Sequence, residues 1–156
     1  MAEFAKLRVG LAQINPTVGA LRENAAKILD YYNQAADAGC DVVAFPELSI
    51  TGYPPVDLVL KQGFVAENQF VLAEIVKSIG ETFAVIGFVE QGQKSGELYN
   101  AAAICQNQKV IGVYRKHLLP NYNVFDEQRY FTPGIHNPLF NIKGACIGVT
   151  ICEDIW

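Results

Sequence analysis

No apolar run in this 156-residue chain approaches membrane-spanning length, so a helical membrane anchor is not expected. No Lys/Arg cluster exceeds a dipeptide such as Arg115-Lys116, and the net charge is −4. Neither nucleic acid nor an anionic membrane is the expected partner. The four cysteines (Cys40, Cys105, Cys146, Cys152) form no C-x-x-C pair, so no metal site is expected from them. Met1 to Lys6 lack the charged-then-apolar layout of a signal peptide, and the thiols read as reduced thiols of a cytoplasmic protein. Histidine is scarce: His117 adjoins Lys116 and His136 lies in a proline-rich loop, neither with an evident orienting partner for a Cys–His pair. Internal repeats, low-complexity tracts and linkers are absent, and one domain is the simplest organisation.

What is present is apolar sequence in many short segments, about half of all residues, enough for a packed core. Leu7–Ile14 alternates as a strand that Asn15-Pro16 ends. From Leu21 the apolar positions follow a helical period through Ala36, and Gly39 is the natural stop. Val42–Phe45 is a continuous apolar run, as in a strand buried on both faces. Strand, helix and strand then imply a parallel pair and an α/β domain. A second helix is predicted over Phe64–Ile79, followed by strands Phe83–Glu90, Leu98–Cys105 and Lys109–Tyr114 as an antiparallel meander. Arg115 to Pro138 is a long polar and aromatic loop, of a size that usually serves function. Leu139–Ile142 and Ala145–Ile151 form one more predicted hairpin.

Three reactive residues each follow an apolar strand: Glu47, Lys116 and Cys152. In open α/β sheets, catalytic groups gather beyond the carboxyl ends of strands. A carboxylate, an ammonium and a thiol meeting there make a complete set. Glu47 takes the thiol proton, Lys116 stabilises thiolate and oxyanion, and Cys152 attacks a carbonyl or nitrile carbon. The Cys152 segment also reads as a strand entering a helix, where backbone N–H groups and the helix dipole hold a thiolate.

Phe45-Pro46-Glu47-Leu48, Tyr114–Pro120 and Thr150-Ile151-Cys152-Glu153-Asp154 resemble, in order and spacing, three motifs of the nitrilase (carbon–nitrogen hydrolase) superfamily. Glu47–Leu58 and Leu119–Phe131 are similar to stretches of the glutaminase domain of glutamine-dependent NAD⁺ synthetases. The resemblance covers essentially the whole chain. It implies the N-terminal part of a four-layer α-β-β-α sandwich and the triad Glu47, Lys116 and Cys152 as base, oxyanion stabiliser and nucleophile. It also implies Glu127 as a second glutamate orienting the lysine, and Tyr53, Tyr122 and Glu153 as shapers of a glutamine pocket. A carboxylate at Glu153 suits the substrate's α-ammonium.

The implied partners are glutamine, a C-terminal synthetase domain and further copies of the chain in a homo-oligomer. No cofactor is expected in this segment, with ATP and Mg²⁺ belonging to the synthetase domain. The chain reads as the front part of a larger enzyme, ending just past its nucleophile. On that reading the piece alone exposes unpaired edges and an uncovered apolar face, and is inactive. Two rivals stay open: a stand-alone amidase of the same superfamily, and a non-catalytic assembly module. The presence of all three triad residues speaks against the second.

Overall fold

The computed structural model describes residues 6–61 and 63–156. Strand β1 (Val9–Leu11), helix α1 (Leu21–Asp37) and strand β2 (Val42–Ala44) form the expected strand–helix–strand unit, with Val9 opposite Val42 in a parallel pair. Paired β1 is shorter than the alternating run from Leu7 to Ile14 suggests. Helix α1 buries Leu21, Asn24, Ile28 and Tyr32, spaced three and four apart, which is one helical face. Gly39 ends it with a φ of 71°. There the Cys40 N–H bonds Ala35 O at 3.0 Å and the Gly39 N–H bonds Ala36 O at 2.9 Å, a reciprocal closure that needs a left-handed residue.

Helix α2 (Phe64–Val76) stops three residues short of the predicted Ile79, which follows in a turn and is fully buried. Strands β3 (Phe83–Gln91), β4 (Leu98–Gln106) and β5 (Lys109–Arg115) make the expected antiparallel meander. Strand β3 also joins β2 in parallel, so β2–α2–β3 is a second crossover unit that the local pattern alone did not indicate. The result is a mixed five-stranded sheet in the order β1-β2-β3-β4-β5.

The two faces of this sheet differ. Ile28, Tyr32, Val71 and Ile75 from the helices pack on Val43, Ala84, Ile86 and Ala101, forming the main core. On the other face, a hairpin of β6 (Leu139–Ile142) and β7 (Ala145–Gly148) lies near β3–β5. Phe140, Val149 and Ile151 there contact the layer of Ala102, Ile104 and Tyr114. Paired β7 ends at Gly148 rather than at the predicted Ile151, because its partner begins at Leu139. Pro138 before that has no N–H to extend the ladder. Val9 and Leu11 at the β1 edge remain 54% and 78% exposed, a bare apolar strip. No helix among the described residues is long and apolar enough to cross a membrane.

Candidate active site

Glu47 lies three residues past β2, and its segment crosses β3 at Gly87. A Cβ on residue 87 would sit 2.4 Å from Leu48 N and 2.6 Å from Pro46 O, so only glycine lets this turn rest on the sheet. Two buried amides fix the surroundings. Asn24 of α1 donates to Thr17 O at 2.8 Å and Ile50 O at 2.9 Å. Asn68 of α2 donates to Val89 O at 2.6 Å. Helix α1 thus holds the loop that carries the carboxylate and α2 holds β3 beneath it, through bonds that are costly to leave unmade in a core.

Lys116 follows β5 directly, and its side chain is 0% exposed. Its ammonium donates to Glu47 Oε1 at 2.7 Å and to Glu127 Oε1 at 2.9 Å. Glu127 comes from a single 3₁₀ turn (Glu127–Arg129) within the long loop and is itself buried. The Tyr53 hydroxyl donates to Glu127 Oε1 at 2.8 Å. Burial by itself would lower the lysine pKa, but hydrogen bonds and charge from Glu47 and Glu127 outweigh it and hold the ammonium above its ordinary value. The Glu127 carboxyl is pushed up, first by burial and then, against the lysine's pull, by the charge of Glu47. Two carboxylates therefore share one cation.

Cys152 lines a cavity of about 370 Å³ together with Glu47, Gly87 and Ala102. Its φ is 46°, a left-handed conformation uncommon for a residue with a Cβ. It joins extended Ile151 to a short 3₁₀ turn, Cys152–Ile155. Asp154 holds this elbow. Its Oδ2 accepts from the Ile151 N–H at 2.9 Å and the Tyr114 hydroxyl at 2.7 Å. Its Oδ1 accepts from the backbone N–H groups of Leu118 at 2.8 Å and His117 at 3.1 Å. One carboxylate thus ties the residue before Cys152 to both sides of Lys116. These donors overcome burial and hold the Asp154 carboxyl below its usual range.

Cys152 is exposed, yet partial desolvation of its sulfur, and then the charge of Glu47, raise its pKa against the opposing charge of Lys116. A carboxylate that can act as base, Glu47, lines the same cavity.

Tyr122 and Glu153 form a second pair, with the Tyr122 hydroxyl donating to Glu153 Oε2 at 2.9 Å. They line a separate hollow of about 740 Å³ with His117, Leu119 and Gln128. Phe125 links the groups: its ring lies 6.4 Å from that of Tyr53 and 5.5 Å from that of Tyr122. The structure thus gathers Glu47, Lys116, Glu127 and Tyr53 into one hydrogen-bonded cluster with Cys152 at the same cavity, and sets Tyr122 and Glu153 beside it. Among the described residues no cluster of three or more His, Cys, Asp or Glu is arranged to hold a metal ion.

The other cysteines separate by exposure. Cys105 is buried in β4 and its thiol is pushed up to about 12 by that burial. Cys146 is exposed, contrary to what its apolar strand suggested, because β7 is half of a two-stranded hairpin. Sequence reasoning also passed over Asn100, Asp154 and Gly87. The polar Asn100 within the otherwise apolar run Leu98–Cys105 was the available signal.

Residues 8–156 match the family model for carbon-nitrogen hydrolase. A glutamine-dependent NAD(+) synthetase of Thermotoga maritima is 45% identical over 154 residues, covering 97% of this chain and 26% of that protein. The solved glutamine-dependent NAD+ synthetase of Acinetobacter baumannii superposes with a TM-score of 0.91 at 41% identity, over 96% of this chain and 28% of that one. An amidase from Nesterenkonia sp. shares the fold, with a TM-score of 0.83 at 19% identity, over 96% of this chain and 56% of that one. The chain spans about a quarter of the length of the synthetases it matches. With a match running from residue 8 to the end, over the cysteine, the lysine and both glutamates of the cluster, the chain belongs to the carbon–nitrogen hydrolase family.

Proposed function

We propose that this chain forms the glutamine-hydrolysing part of a glutamine-dependent NAD⁺ synthetase, with Cys152 as nucleophile, Glu47 as base and Lys116 as oxyanion stabiliser. The observation that carries the reading is a fully buried ammonium clamped between two carboxylates, one of which shares a cavity with a thiol. The Cys152 sulfur attacks the side-chain amide carbon of glutamine while its proton passes to Glu47. An ammonium has three donors. Glu47 and Glu127 occupy two of them, which leaves one for the developing oxyanion. Collapse expels ammonia, with Glu47 returning its proton to the leaving nitrogen, and leaves a γ-glutamyl thioester. Water, deprotonated by Glu47, then releases glutamate and restores the thiol. Glu127 and Tyr53 orient Lys116, while Tyr122 and Glu153 receive the amino-acid end of the substrate.

The ammonia goes to amidation of nicotinic acid adenine dinucleotide in a synthetase domain that uses ATP and Mg²⁺, outside these residues. A homo-oligomer in the cytoplasm completes the reading. The identities of 41% and 45% to synthetases, against 19% to the amidase, favour glutamine over a simple amide. The test is glutamate release by the full-length protein and its Cys152→Ala variant. Turnover of glutamine that the substitution abolishes supports the proposal, and preference for small aliphatic amides over glutamine refutes it.

A further inference from the structure

Asn100 lies in β4, where every residue from Leu98 to Cys105 is buried, and it is itself 1% exposed. Its amide nitrogen donates to Glu47 Oε1 at 2.6 Å and to Glu127 Oε2 at 3.4 Å. Its amide oxygen, Oδ1, is buried with no partner among the described residues. Turning the amide over would set that oxygen against two carboxylates, so the charges dictate the orientation, at the cost of an unmet acceptor. The backbone of the same residue accepts from the Lys116 N–H at 2.9 Å. One position in β4 thus touches the Glu47 side chain and the backbone of the lysine.

The hydrogen-bond pattern separates the two glutamates. Glu127 Oε1 accepts from Lys116 and Tyr53, and its Oε2 accepts from Asn100. Both Glu127 oxygens are occupied. Glu47 accepts both of its donors, Lys116 and Asn100, on Oε1. Among the described residues its other oxygen is the one carboxylate oxygen of the pair that accepts no hydrogen bond. We infer that Asn100 is a positioning residue: with Lys116 it locks Oε1 of Glu47 and so leaves Oε2 as the oxygen that takes and returns the Cys152 proton. This rests on the hydrolytic reading above. It explains why Glu47 rather than Glu127 serves as base, although both touch the same ammonium. The titratable and charged groups around Glu47 are Lys116, Glu127 and Cys152, with Tyr53 acting through Glu127.

The test uses the full-length protein with Asn100→Ala, Asn100→Asp and Cys152→Ala variants assayed for glutamine hydrolysis across pH. Asn100→Ala lets the Glu47 carboxylate rotate, and kcat falls about 100-fold while KM stays within about twofold. In Asn100→Asp the new carboxyl is nearly isosteric with the amide. Ionised, it only accepts and repels two carboxylates; protonated, its O–H donates to Glu47. Its activity is therefore lowest at alkaline pH and recovers relative to Asn100→Ala as pH falls. A purely structural amide gives no such divergence. An Asn100→Ala kcat within about twofold of wild type overturns the inference, and so does a loss in both variants that is equal at every pH. Failure of both variants to fold assigns Asn100 to stability alone and overturns it too. Cys152→Ala keeps the two readings apart: an inactive wild type, or a Cys152→Ala variant as active as wild type, sinks the hydrolytic reading itself.

Discussion

Replacing Lys116 by Met removes the cation and keeps most of the side-chain volume. The ammonium is 0% exposed, and its carboxylate partners Glu47 and Glu127 are 18% and 5% exposed. After the change those two charges retain only the Asn100 amide and the Tyr53 hydroxyl as side-chain donors. Removing one partner from a buried ion pair costs about 3–5 kcal/mol. The unfolding midpoint of the full-length protein falls accordingly. Loss of the oxyanion donor lowers kcat by about 10²–10³ as a separate effect. The sign with pH is fixed. Glu127 already binds its proton more tightly than the ordinary value of 4.5, chiefly through burial, and losing the lysine's pull raises it further. A carboxyl raised in the folded state costs stability above its unfolded pKa and recovers it as pH falls through the folded pKa. The deficit of Lys116→Met is therefore largest near neutral pH and shrinks on acidification toward about pH 5. Adding Glu127→Gln recovers part of it at neutral pH, because the two sites are coupled. Thermal unfolding of full-length wild type and variant at several pH values is the assay. A variant as stable as wild type near neutrality, or a deficit that grows on acidification, refutes the reasoning.

Three further outcomes follow from the geometry. Asp154→Asn places an amide where four donors converge, so the midpoint drops by the equivalent of about 1–3 kcal/mol at neutral pH. Because the Asp154 carboxyl is lowered from 3.8, its contribution is present above that pH and lost as pH falls through the folded value. The variant's stability should then vary less with pH in that acid range than that of wild type. Gly87→Ala drives a methyl into Leu48 N and Pro46 O, and calorimetry should show a loss of about 1–3 kcal/mol, with reduced glutamate release. On the proposed reading Glu153 faces the substrate's amino group, so for Glu153→Gln steady-state kinetics should show KM for glutamine rising about tenfold with a smaller change in kcat.

The strands were legible wherever local chemistry decided them. The apolar run at Val42, the helix stop at Gly39 and the turns after Gln91 and Gln106 all place elements within a few residues of those observed. Glu47, Lys116 and Cys152 stood out because each ends an apolar segment. What stayed hidden depends on contacts between distant residues. The parallel joining of β2 and β3 requires α2 to cross over, which no local period encodes. Gly87 reads as an ordinary strand glycine until the Glu47 turn is seen to leave no room for a Cβ there. Asp154 reads as a surface carboxylate until Tyr114, His117 and Leu118 come around to meet it. The exposure of Cys146 follows from which strand pairs its hairpin lacks, and apolar sequence alone carries no information on that.

The most direct test of Cys152 as the nucleophile of a glutamine site is mass spectrometry of the full-length protein treated with an electrophilic glutamine analogue near neutral pH. The account expects one adduct within residues 6–156, at Cys152, slowed by excess glutamine and by Glu47→Gln. Buried Cys105, with its thiol pushed up to about 12, stays unmodified. An adduct on Cys146 or Cys40 with Cys152 untouched, or labelling of Cys152 that glutamine does not slow, contradicts the account.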